Sequence, residues 1–109
     1  MLYRITVRYR WQVKKLMPKF YESLISELEK FETDDLNQTE PWLNIDTHKN
    51  FSGVVTIYAY GTFKPEQVAR IIRDILLRFG LNEMMTEVRV FPFHADIAWG
   101  DLPYYIVRE

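Results

Sequence analysis

A chain of 109 residues has the length of one domain, and its 48% hydrophobic, 16% aromatic and 27% charged residues are the composition of a folded protein. The absence of cysteine excludes disulfides, thiolate metal sites, iron–sulfur clusters and cysteine nucleophiles. A net charge of −1 argues against a strongly basic nucleic-acid binder and against an acidic DNA mimic.

That balance hides a division along the chain. Residues 1–20 carry Arg4, Arg8, Arg10, Lys14, Lys15 and Lys19 with no acid, whereas residues 21–46 carry eight acids against Lys30 alone. The opening Met1-Leu2-Tyr3-Arg4 lacks the apolar segment of a secretory signal, and no run approaches the roughly 18 apolar residues of a membrane span. The expectation is a cytoplasmic protein with no membrane partner.

Tyr3, Ile5, Val7, Tyr9 and Trp11 alternate with Arg4, Thr6, Arg8 and Arg10, a period of two that predicts a half-buried strand. From Lys14 the period changes. Leu16, Met17, Phe20, Leu24, Leu28 and Phe31 draw an apolar stripe at helical spacing, with Pro18 in the first turn. Glu32 to Pro41 reads as a polar linker. Trp42 to His48 alternates again, Lys49 to Gly53 is a turn-type cluster, and Val54 to Tyr60 is rich in β-branched and aromatic residues, so the three predict an antiparallel hairpin.

Gly61 to Pro65 stops that strand and opens a second helix, whose stripe is Val68, Ala69, Ile71, Ile72, Ile75, Leu76 and Phe79, with Gly80 placed just past its end. A fourth strand runs from about Met85 to Phe91 and is expected to end at Pro92. After a turn at Asp101-Leu102-Pro103, the segment Tyr104-Tyr105-Ile106-Val107 predicts a short additional strand.

The order β-α-β-β-α-β predicts an α+β domain over residues 1–109 of the ferredoxin-like, split βαβ kind. Its antiparallel sheet has spatial order 4-1-3-2, two helices cover one face, and a C-terminal strand is added. The first and third strands are then central neighbours. With Tyr3, Ile5, Val7 and Val55, Ile57, Ala59 turned to the helices, Arg4, Thr6, Arg8 and Arg10 stand beside Val54, Thr56, Tyr58 and Tyr60 on the open face, with Trp42, Asn44, Asp46 and His48 beyond.

Two occupants of that face suggest themselves. The aromatic surplus fits a protein interface, because Tyr, Trp and Arg dominate binding hot spots. The leading expectation is therefore a non-enzymatic binding or assembly module, self-associating or bound to a protein partner through the sheet face or C-terminal strand, with Trp42, Tyr104, Tyr105 and Ile106 at the interface. The second is sequence-tolerant binding of single-stranded nucleic acid by Arg4, Arg8, Arg10, Tyr58, Tyr60 and Trp11, since bases stack on aromatic rings while cations hold the phosphates. Cross-strand pairing of the arginines with Asp46 and Glu87 would give the face a purely structural role. The basic run with Trp11 and Met17 could hold an anion near a helix N-terminus, or complement the acidic run within one copy or between two.

Enzymatic signatures are missing. Ser23, Ser26 and Ser52 have no neighbouring histidine in sequence, and Gly53, Gly61, Gly80 and Gly100 are isolated, which excludes phosphate-loop and dinucleotide fingerprints. Asp46-Thr47-His48 and His94-Ala95-Asp96 pair an imidazole with a carboxylate. The two pairs fall on opposite sheet edges, three strand gaps or roughly 14 Å apart, too far for one metal ion. No cofactor and no metal are expected.

Overall fold

The computed structural model describes residues 1–93. The expected strand at Tyr104–Val107, with interface candidates Tyr104, Tyr105 and Ile106, lies outside the described residues, as do His94 and Asp96. Within them the chain runs β1 (Leu2–Tyr9), a single 3₁₀ turn (Trp11–Val13), α1 (Met17–Glu29), β2 (Leu43–Phe51), β3 (Val54–Gly61), α2 (Pro65–Arg78) and β4 (Thr86–Phe93). The four strands form one antiparallel sheet in the order β2-β3-β1-β4. This is the expected order read from the other edge, and is consistent with a ferredoxin-like arrangement.

The alternation in β1 builds the core. Tyr3, Ile5 and Val7 are buried, as are Val55, Ile57 and Ala59 of β3 and Val88 and Val90 of β4. Met17, Phe20, Leu24 and Leu28 of α1 and Val68, Ala69, Ile72, Ile75 and Leu76 of α2 close over them. Burial pushes the Tyr3 phenol up to about 12, so it stays protonated and donates to the carbonyl of Phe63. At the end of α2, Gly80 adopts φ +73°; its N–H bonds to Leu77 O and that of Leu81 to Leu76 O, a complete Schellman cap.

Four expectations are corrected. Trp11 does not continue the strand, because β1 ends at Tyr9 and Trp11 opens the 3₁₀ turn. Lys49 to Phe51 belong to β2 rather than to a turn. The hairpin closes in two residues, Ser52 (φ +54°) and Gly53 (φ +79°), both in the left-handed region that two-residue hairpins favour. Pro92 does not end β4: it pairs opposite Tyr3, tolerated because β4 is the edge strand among the described residues, where no donor is needed on its outer side. Finally, β2 carries a bulge between Ile45 and Thr47, which pair with the consecutive residues Ala59 and Tyr58 and leave Asp46 unpaired. Beyond the bulge every side chain changes face. His48 lies opposite the buried Ile57 and meets the Tyr21 hydroxyl on α1, while Thr47, Lys49 and Phe51 pass to the open face.

The two helices treat charge differently. Helix α2 has Glu66 in its first turn and Arg78 in its last, the signs its macrodipole favours. Helix α1 has no acid in its first turn, where Lys19 sits, and no base in its last, which holds Glu27 and Glu29. Lys30, the residue that caps the helix, hydrogen-bonds Glu27 and with Arg78 holds its carboxyl below the ordinary value, so the last turn is compensated and the first is not.

Gly61 closes the sheet at the other end. It exchanges hydrogen bonds with Met1, and a Cβ added there would collide with the Trp42 carbonyl oxygen and stand 2.9 Å from Leu43 Cα. Gly61→Ala is expected to lose about 3 kcal/mol in chemical denaturation. Gly80→Ala, with nothing within 4 Å of the new methyl, loses about 1 kcal/mol through its backbone angle alone. Equal losses would contradict this account of Gly61.

Candidate functional site

The helix-free face of the sheet is built from rows that the two registers of β1 fix. Arg4 lies between Tyr58 of β3 and Phe91 of β4, Thr6 between Thr56 and Arg89, and Arg8 between Val54 and Glu87. The bulge adds Thr47 beside Tyr58 and Lys49 beside Thr56. The face is thus cationic and aromatic through its centre, with Arg4, Arg8, Lys49 and Arg89 set against Glu87 among the described residues.

Several contacts hold these groups in place. The Arg4 guanidinium carbon stands 4.3 Å from the Phe91 ring centroid, a cation–π stack. Glu87 pairs with Arg89, its neighbour two residues on along the same side of β4. Between them is a shallow cavity of about 240 Å³, lined by the four cations with Thr6, Thr56, Tyr58 and Phe91. The Thr6 hydroxyl at its floor is shielded from solvent and has no hydrogen-bond partner among the described residues.

The structure divides the six residues singled out from sequence. Arg4, Arg8 and Tyr58 come together on this face. Tyr60 is on the same side but at the far end of β3, opposite Leu2; its ring packs edge-on against Trp42 at 5.9 Å, and its hydroxyl accepts from Asn44 Nδ2 at 3.4 Å. Arg10 and Trp11 lie past the opposite end of β1. There Arg10 N–H bonds to Met85 O, and Trp11, 79% exposed, lines a cavity of about 680 Å³ with Tyr9, Lys14 and Phe51. Trp42 is buried at 6% exposure, its indole N–H without an acceptor among the described residues.

Sequence reading missed Lys49, Arg89 and Phe91 as members of the face. Lys49 arrives there only because of the bulge at Asp46, which alternation cannot reveal. Arg89 and Phe91 had a signal: Val88 and Val90 mark the core side of β4, so the odd positions face out. Arg73 was missed altogether; it is 3% exposed on α2 and donates to Thr86 Oγ1 at 3.0 Å and Thr86 O at 3.3 Å, tying α2 to the start of β4. Among the described residues no three His, Asp or Glu side chains converge as metal ligands would, and no helix is long and apolar enough to cross a membrane.

Comparison with protein families, with characterised proteins and with solved structures finds no match, so the reading of this face rests on its own geometry. The Arg4–Phe91 stack is the contact that orients its central cation. A double-mutant cycle with Arg4→Ala and Phe91→Ala is expected to give a coupling of about 0.5–1 kcal/mol in unfolding. Additive losses would remove the stack from the site.

Proposed function

We propose that the open face binds single-stranded nucleic acid without strong sequence preference, and that the chain is a binding module rather than an enzyme. The observation that carries this reading is the composition of the cavity at the centre of the sheet: cations at Arg4, Arg8, Lys49 and Arg89 beside aromatic rings at Tyr58 and Phe91. Phosphates need the first and unstacked bases the second. The Thr56 hydroxyl beside these side chains can donate to a phosphate or sugar oxygen.

The same composition weighs against the alternative in which two copies stack sheet to sheet. A two-fold axis brings each patch onto itself. Arg8 and Lys49, exposed and without an ion pair among the described residues, would then face a second copy of the same cationic patch, and desolvated like charges cost affinity. An anionic partner has no such penalty.

Fluorescence anisotropy of a labelled single-stranded oligonucleotide tests the reading. With three or four phosphates contacted, affinity is expected to fall about 20- to 50-fold between 50 and 200 mM salt, because counterions are released from a single strand in proportion to the contacts made. Arg8→Glu and Lys49→Glu, both at exposed positions, weaken binding and flatten that slope. Tyr58→Ala removes a stacking platform at a cost of about 1–3 kcal/mol with the slope retained. Absence of binding at 50 mM salt contradicts the proposal.

A further inference from the structure

The two ends of the sheet differ in chemistry. At one end lie the close of β1, the β2–β3 turn, the start of α1 and the α2–β4 loop, joined by Tyr9 N–H to Gly53 O at 2.9 Å and Arg10 N–H to Met85 O at 3.1 Å. Trp11, Phe51 and Met84 are exposed there to 79%, 72% and 76%. Arg10, Lys14, Lys15 and Lys19 surround them, all exposed and without an ion pair among the described residues.

The opposite end gathers the close of α1, the segment leading into β2, and the end of β3, joined by Leu43 N–H to Phe31 O and Thr62 N–H to Trp42 O. Here Glu29, Glu32, Asp34, Asp35 and Glu40 are exposed and likewise have no ion pair among the described residues. A cavity of about 450 Å³ opens between Glu32, Asp34 and Tyr60. Leu36, 65% exposed, stands in the same segment.

The basic and acidic runs therefore do not neutralise each other within one copy. Helix α1 adds to the mismatch at the basic end alone, since its positive dipole end meets Lys19 with no acid in the first turn, whereas at its other end Lys30 caps the helix and pairs with Glu27. A partner that satisfies both ends together is another copy of the same chain.

We propose that this protein associates head to tail, the aromatic and basic end around Trp11, Lys14 and Lys15 of one copy docking on the acidic end around Glu32, Asp34 and Asp35 of the next. Two unlike patches meet, so the contact is heterologous: it leaves one patch of each kind open and continues into a chain or ring. Trp11 and Phe51 supply the apolar area, and the charges fix polarity and make association sensitive to salt. The association does not use the cations of the open face and is read without nucleic acid.

Sedimentation velocity at low salt over a range of concentrations tests it. The average mass of the wild-type chain is expected to climb past two copies of 13.2 kDa and to fall back toward one copy at 0.5 M salt. A basic-end variant, Trp11→Ala with Lys14→Gln and Lys15→Gln, and an acidic-end variant, Asp34→Asn with Asp35→Asn, are each expected to remain single. Mixed, they retain one working end apiece and form a pair that grows no further. Circular dichroism matching wild type confirms that both variants fold. Three results would overturn the proposal: a wild-type chain that stays single at low salt, a closed dimer indifferent to both variants, or a mixture that fails to pair. A single-copy chain that sediments with anionic vesicles through Trp11 and its lysines would assign the basic end to a lipid surface instead.

Discussion

Strand β1 is the constraint from which the molecule is built. It is central, paired along its length with β3 on one side and β4 on the other, so its alternation decides what every neighbour presents. One set, Tyr3, Ile5 and Val7, packs under the helices. The other, Arg4, Thr6 and Arg8, cannot be buried cheaply and must face away from them. A shift of one residue would drive arginines into the core, so the register that stabilises the fold is also the one that assembles the cationic face.

Much of this was legible because β1, β3 and both helices keep their periods without interruption. Strand order, the buried set of β3 and the Gly80 cap all follow from local patterns that the tertiary structure leaves unchanged. The bulge at Asp46 was not legible, since nothing in Asn44-Ile45-Asp46-Thr47 distinguishes an extra residue from regular alternation. That one residue moves His48 against Tyr21 and carries Lys49 to the face, and so alters the site more than any other departure. Pro92 misled for another reason: its cost depends on whether a strand is central or at the edge, which only the sheet order reveals. Arg73 was hidden because a charged residue beside an apolar stripe normally reaches solvent, whereas here Thr86 supplies acceptors at the helix–strand junction.

The charge pattern along the chain acquires meaning only in three dimensions. A basic N-terminal run followed by an acidic one would be unremarkable if the two met. Helix α1 returns the chain along the sheet, packed on β2, so the acidic segment emerges at the end remote from Arg10 and Lys14. Among the described residues the face carries mainly positive charge, with Glu87 its one acid, and the two ends carry opposite signs.

The central claim is that the Arg4–Thr6–Arg8 side of the sheet is the binding surface. Amide chemical-shift mapping on addition of a single-stranded oligonucleotide tests it most directly. The account predicts perturbations along Arg4 to Arg8, Lys49 to Tyr58 and Arg89 to Phe91, with the outer surfaces of α1 and α2 unmoved. Perturbations confined to Trp11, Lys14 and Lys19, or to the helices, would contradict it.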